Sequence, residues 1–287
     1  MKVLLGCDVD PVLPPLLDAP PPGDIWQCLD AVDALVSGAG GELPPITWLI
    51  RADESIRFST GDFASGYLTR AALWDTLRAR DHELGWHMHA WSFDKASASF
   101  RFDPDPSWLA AAHGALSRHF DVRSTRTGWD YGSTRLLQQL DRLGVWVDFS
   151  ALPGHIAWFT VGRDRITVDW LRCPAHPYHP ARDDHQRPGE LRLLEVPITP
   201  FASSAPGMMA RVAWRMAHGS LSLRGARSKT RLLTDRWDSL PPTITPVWAF
   251  YFHPEDLEGE GARRLMQNVA RLRRVPGVEF VTASELA

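Results

Sequence analysis

Cysteine is scarce in this sequence: three residues in 287, Cys7, Cys28 and Cys173, with no pair at a Cys-x-x-Cys spacing. An odd, scattered set excludes a disulfide framework and a thiolate zinc site, and fits reduced thiols. Cys7 reads as a buried wall residue rather than a nucleophile. Long apolar runs are missing too. Nothing approaches the roughly 20 residues of a membrane-spanning helix, and the opening run Val3-Leu4-Leu5 is too short for the core of a secretion signal. The expectation is a cytoplasmic protein with no membrane partner. A surplus of basic charge is also absent: the formal net charge is −3, which speaks against a nucleic-acid partner. No repeat and no linker divides the chain, so residues 1–287 are expected to form one domain.

What is present is apolar mass: 44% hydrophobic residues and 13 tryptophans, enough for a large core with aromatic surface left over for flat ligands. Apolar runs alternate with helical patterns. Strands are expected at 2–9, 46–51, 84–90, 124–129, 145–149, 193–199, 247–252 and 278–281. Helices are expected at 24–37 with Asp24 as cap, 70–80 with Thr69 as cap, 107–119, 133–143, 208–218, 228–237 and 261–274. A proline-rich loop, 11–23, follows the first strand and could form part of a rim. Residues 158–188 read as a hairpin followed by a long excursion rich in Pro, His and Arg. This alternation predicts a mostly parallel sheet with crossover helices. Seven or eight such strands favour a closed or distorted (β/α) barrel over an open sheet.

In such barrels chemistry sits at the carboxyl ends of the strands. The polar residues follow that rule: Asp8 and Asp10 end the first strand, His87 and His89 the third, Arg126 and Asp130 the fourth, Asp148 the fifth, and His253 a late one. Five such coincidences on different strands point to a catalytic mouth.

In Trp86-His87-Met88-His89 strand alternation puts both imidazoles on one face. Read alone, Asp8-Val9-Asp10-Pro11 is an ordinary strand-ending turn. Beside a His-x-His it reads otherwise. One carboxylate and two imidazoles make a facial set for a divalent cation with positions left open, and the second carboxylate becomes a candidate general base.

These motifs, in this order, resemble the NodB-type polysaccharide deacetylases, carbohydrate esterase family 4, from Val3 to about Leu286. The resemblance implies a distorted (β/α) barrel and a metal-dependent hydrolase acting on an acyl amide. Asp8 would be the base and Asp10 a metal ligand. Asp81-His82-Glu83-Leu84-Gly85 is similar to the lead-in of the second motif, which makes His87 the first metal histidine; His82 would fix the turn before the strand. The family's second metal histidine stands four residues after the first, and here that place holds Trp91, a substrate-side residue on this reading. His89 is the replacement expected; were it out of reach, the metal would keep two protein ligands and bind weakly or not at all. Arg126-Thr127-Gly128-Trp129-Asp130-Tyr131-Gly132 is similar to the third motif, with Arg126 holding Asp8 ionised and Trp129 and Tyr131 lining the pocket. Asp169-Trp170 resembles the fourth, whose Asp tunes the catalytic histidine and whose Trp forms a pocket wall. Phe250-Tyr251-Phe252-His253-Pro254 resembles the fifth, with His253 as general acid.

The implied metal is Zn²⁺, with Co²⁺, Ni²⁺ or Mn²⁺ as alternatives. The implied substrate is an N-acetylated sugar, small or oligomeric. Two other readings stay open: a C–N hydrolase of the same fold acting on a ureide or cyclic amide, and a metal-free, catalytically silent sugar binder. The cluster Arg172, His176, His179, Arg182, His185 and Arg187 could meet an anionic group such as a phosphate; its alternative is a solvated loop.

Overall fold

The computed structural model describes residues 1–11, 24–39, 42–161, 164–199 and 246–287. The helices expected at 208–218 and 228–237, and residues 12–23 of the proline-rich loop, lie outside the described residues. In chain order the elements are β1 (Lys2–Val9), α1 (Leu29–Gly38), β2 (Thr47–Arg51), α2 (Glu54–Thr60), α3 (Ser65–Thr69), α4 (Ala71–Arg78), β3 (Glu83–Met88), a hairpin of β4 (Trp91–Asp94) and β5 (Ser99–Phe102), and α5 (Leu109–Ser117). There follow β6 (Ser124–Thr127), a single 3-10 turn at Gly128–Asp130, α6 (Thr134–Leu143), β7 (Val147–Asp148), and a second hairpin of β8 (Ile156–Val161) and β9 (Asp164–Asp169). Last come β10 (Leu194–Glu195), β11 (Val247–Phe252), a 3-10 turn at Pro254–Leu257, α7 (Gly261–Arg273) and β12 (Glu279–Val281).

The strands outside the two hairpins form one parallel sheet in the order β10-β7-β6-β3-β2-β1-β11, with β12 also paired to β1. β1 and β11 are buried along nearly their whole length, as parallel strands covered on both faces must be. The order does not end in open edges. Past β10, the Thr199 N–H donates to the Ala249 carbonyl of β11 at 3.0 Å, and Thr199 Oγ1 accepts the Ala249 N–H at 2.9 Å. The sheet therefore curls until its two ends touch, giving a distorted barrel. Its interior is filled: a Cβ on Gly6 of β1 would stand 2.5 Å from the Phe149 ring, so only glycine lets that ring cross to β1.

Local chemistry explains the helix borders. Ser133 caps α6 by accepting the Leu136 N–H, and Gly144 ends it at φ 83°, a left-handed position that glycine adopts without strain. Asp53 caps α2 through the Ser55 and Ile56 N–H groups. Thr69 does not cap α4; it is the last residue of α3, and α4 starts after Arg70 without a side-chain cap. Asp24 accepts the Trp26 N–H in a turn that precedes α1. β3 stops at Met88, two residues earlier than alternation suggests, and β6 stops at Thr127, because Trp129 takes φ 60° and leaves the strand. Among the described residues, no helix is long and apolar enough to cross a membrane.

His82 fixes the turn before β3: its Nδ1 accepts the Ile46 N–H at 3.1 Å. Burial pushes this imidazole down to about 4, so the folded chain holds it neutral while the unfolded chain protonates it near 6.5. This contribution to stability is complete above pH 6.5 and is lost as the pH falls toward 4, a swing of up to about 3 kcal/mol. His82→Asn, whose amide oxygen can accept the same bond, is expected to show a shallower loss of melting temperature between pH 7 and 4.5 than the parent. Parallel curves would contradict this assignment.

Candidate metal and catalytic centre

The carboxyl ends of β1, β2, β3, β6 and β11 converge. Asp8 is the buried penultimate residue of β1, and the chain turns at once, the Asp10 N–H donating to the Asp8 carbonyl at 2.9 Å. That turn brings the Asp10 carboxylate over the barrel mouth. Opposite, His87 comes from inside β3 and His89 from just past its end. The Asp10 Oδ1 lies 3.5 Å from His87 Nε2 and 3.6 Å from His89 Nε2, and the two Nε2 atoms are 3.2 Å apart. The three residues form the only set of three or more potential ligands within 4.8 Å of one another among the described residues.

This triangle has the dimensions a cation requires. Donors at the Zn–N and Zn–O distances of a tetrahedral site are about 3.4 Å apart. The donor chemistry fits as well. His87 Nδ1 bonds the Arg126 carbonyl at 2.8 Å, which puts the proton on Nδ1 and leaves the Nε2 lone pair facing the triangle. Burial, then the Arg51 charge, pushes the His89 imidazole down to about 4, so it is neutral at neutral pH. Burial opposes ionisation of Asp10, but His87 and His89 in their protonated forms, together with the Arg51 guanidinium, outweigh it and hold the carboxyl well below the usual range. Asp10, His87 and His89 are the residues that would hold a divalent cation.

Trp91, where the family pattern has its second histidine, is buried and begins β4. It packs edge-on against Trp129 with centroids 5.0 Å apart. His89 reaches the triangle by a route that strand alternation did not foresee: its N–H donates to Asp53 Oδ2 at 3.1 Å and its carbonyl accepts the Trp91 N–H at 2.7 Å, a tight turn in place of a continued strand.

A second layer surrounds Asp8. Arg126 of β6 is 2% exposed, so it is no surface ion pair. Its guanidinium donates to Asp8 Oδ2 and to Asp130 Oδ1 and lies 3.5 Å from the centroid of the Tyr251 ring. The other Asp8 oxygen, Oδ1, is buried and accepts no hydrogen bond from the described residues. His253 follows β11, with Nε2 at 3.7 Å from Asp8 Oδ2 and 4.0 Å from Asp10 Oδ2, and Nδ1 at 3.6 Å from Asp256. Burial opposes its charge, but Asp256, Asp8 and Asp10 prevail and raise it to about 9, an imidazolium at neutral pH. Cys7 faces away from chemistry: burial and the neighbouring carboxylates push its thiol well up.

The turn Gly128-Trp129-Asp130 closes one side. Trp129 and Asp130 both take left-handed conformations, φ 60° and 56°, uncommon for residues with a Cβ. The Trp170 indole holds this shape by donating to the Asp130 carbonyl at 2.7 Å, and the Thr127 hydroxyl by donating to the Tyr131 carbonyl. Trp129 is thereby presented, 39% exposed, with its ring 5.2 Å from His89. Gly128 is required by contact: a Cβ there would stand 2.2 Å from the His89 ring. Gly128→Ala is expected to displace that imidazole and, for a divalent cation held at the triangle, to weaken binding by at least about tenfold, the scale of lost supporting contacts in metal sites. Titration calorimetry checks it, and unchanged affinity would rule out this packing role.

Four of the expected site residues stand differently in the structure. Trp170 is fully buried against Gly132 and the Asp130 carbonyl, so it supports the turn and is no open pocket wall. Tyr131 is 6% exposed, its ring edge-on to Phe102. Asp169 accepts the Leu171 N–H at 3.0 Å, in the turn after β9, and the carboxylate beside His253 is Asp256. Asp148 is fully buried, bonded to Thr125 and Ser150. The excursion after β9 pairs its own charges: Arg172 with Asp184, Arg182 with Glu190, Arg187 with Asp183. Sequence reasoning missed Arg51, Asp53 and Asp256, although each sits just at or past the carboxyl end of a strand.

No family model matches the chain, and no curated protein does. Among solved structures it is similar to a proposed polysaccharide deacetylase from Mycobacterium smegmatis, with a TM-score of 0.54 and 12% identity over 99% of this chain and 88% of that one. Looser likenesses are to a proposed polysaccharide deacetylase involved in O-antigen biosynthesis from Bordetella bronchiseptica (TM-score 0.42, 14% identity, 96% and 80% covered) and to an alpha-amylase from Thermotoga maritima (0.47, 12%, 99% and 74%). At these identities the first likeness speaks to the fold alone, and the other two carry no argument. The fold is a distorted (β/α) barrel, shared with that Mycobacterium smegmatis protein.

Proposed function

We propose that this protein is a metal-dependent hydrolase that removes the acyl group from an amide nitrogen of a sugar or small sugar derivative. The observation that carries the reading is the triangle of Asp10 Oδ1, His87 Nε2 and His89 Nε2, with sides of 3.2, 3.5 and 3.6 Å. A divalent cation held there, Zn²⁺ first, supplies polarisation of a carbonyl and acidification of water. The chain does the rest. Asp8 offers the unpartnered Oδ1 as proton acceptor while Arg126 holds its other oxygen. His253 carries a proton on Nε2 for the leaving nitrogen, and Asp256 supports it from Nδ1. The exposed face of Trp129 beside His89 offers a platform for a pyranose ring.

The test is a substrate panel on zinc-loaded protein. Acetate released from N-acetylated sugars supports the reading. Ring opening of ureides or cyclic amides without acetate would replace it with the non-sugar alternative, and binding of sugars without turnover or metal would replace it with a silent one. His253→Gln is expected to keep the metal and lose turnover by about 10²-fold, the lower end of general-acid contributions. Full activity in that variant would remove His253 from the mechanism.

A further inference from the structure

The carboxylates of Asp8, in β1, and Asp10, in the turn after it, are each held by a buried arginine, and only one of these arginines belongs to the chemistry described above. Arg51, the last residue of β2, is 7% exposed and makes three side-chain bonds. Its Nη1 donates to Asp10 Oδ1 at 3.1 Å, its Nε to Asp53 Oδ2 at 2.8 Å, and its Nη2 to Ser55 Oγ at 3.1 Å. Asp53 is fully buried and fastened in turn. Its Oδ1 accepts the Ser55 and Ile56 N–H groups at the start of α2 and the Ser55 hydroxyl, and its Oδ2 also accepts the His89 N–H at 3.1 Å.

The connectivity is specific. Asp10 Oδ1, the oxygen that faces both histidine Nε2 atoms, is the one Arg51 grips, and the carboxylate that grips Arg51 also fixes the backbone of His89. One buried ion pair thus ties two corners of the triangle, from β1 and from the end of β3, to the rigid start of α2. The planar guanidinium can satisfy three partners in fixed directions, which an ammonium cannot.

We propose that Arg51, locked by Asp53 and Ser55, is a positioning residue of the metal centre: it aims Asp10 Oδ1 at His87 and His89 and sets the affinity for a divalent cation. The proposal rests on the metal reading of the triad. It predicts that geometry, and not charge alone, matters at position 51. Arg51→Lys keeps the charge and loses the fork, and should weaken Zn²⁺ binding at least about tenfold, as lost supporting contacts do in metal sites. Ser55→Ala removes the hydroxyl that accepts from Arg51 and donates to Asp53, at a helix position that alanine suits, and should weaken Zn²⁺ binding severalfold while the fold is kept.

The experiment is titration of the purified full chain and both variants with Zn²⁺ by calorimetry and with Co²⁺ by visible absorption, alongside melting temperatures without metal. Weaker Zn²⁺ binding and an altered Co²⁺ spectrum in the folded variants support the proposal. Parent-like affinity and spectrum in Arg51→Lys, or in Ser55→Ala should Arg51→Lys not fold, would overturn it and leave the metal centre standing. Tighter binding in either variant would overturn it in favour of Arg51 as a repelling charge. A parent that binds neither ion would overturn both this proposal and the metal reading, so the two failures are distinguishable.

Discussion

Asp8→Asn is expected to lower kcat by about 10³–10⁴-fold with metal content unchanged, at the upper end of the general-base range. The split follows from the geometry. Asp8 is not a corner of the triangle; its Oδ2 is tied to Arg126, and its Oδ1 is buried with no hydrogen-bond partner among the described residues. An unpartnered buried carboxylate oxygen is costly, and a catalytic role is one reason for a fold to keep it; the use available here is to accept a proton. Asparagine retains the shape and an oxygen for Arg126 but places an amide, a donor, where the acceptor stood. Arg126 keeps Asp130 as a second carboxylate, so the fold should survive. The measurement is steady-state turnover together with metal content of the same preparation. Loss of metal along with activity would make Asp8 a ligand and not a base.

Arg126→Leu is expected to cost about 3–5 kcal/mol of stability, the effect of breaking a buried ion pair from one side. Two carboxylates, Asp8 and Asp130, lose their shared cation, and the Tyr251 ring loses the guanidinium above it. That is a large share of the 5–15 kcal/mol that holds an ordinary domain together. Chemical denaturation of parent and variant at pH 7.5 measures it. A variant as stable as the parent at pH 7.5 would mean that Arg126 is solvated, contrary to its 2% exposure.

Much of this was legible in the sequence because the barrel writes its chemistry at strand ends. Asp8, Asp10, His87, Arg126 and His253 could be placed from apolar runs that stop at polar residues, and the structure brings these five together. His89 was anticipated for a reason that proved incomplete. Alternation would carry β3 through it, whereas the strand stops at Met88 and a backbone bond to Asp53 sets the ring. Period alone cannot show where a strand yields to a turn held by a distant side chain. Arg51 and Asp53 went unseen for a related reason. Arg51-Ala52-Asp53 carries no metal-ligand spacing, and its importance lies in partners 36 and 41 positions away. Trp170 and Asp169 were misjudged because two adjacent residue types say nothing about which side of a wall they occupy; the chain turns the indole inward and the carboxylate onto its own backbone. The hairpin β4–β5 did have a signal, the alternating Trp91-Ser92-Phe93-Asp94 and Ser99-Phe100-Arg101-Phe102, joined by a short polar turn.

One ion held by three side chains at the ends of β1 and β3 is the central claim, and a metal stoichiometry on the parent and on His89→Ala tests it most directly. The expected result is one equivalent of zinc per chain in the parent and a weakening of at least about 100-fold when His89 is removed, since two ligands make a poor site. A His89→Ala protein that binds zinc as tightly as the parent would contradict the triad and, with it, the catalytic scheme built on it.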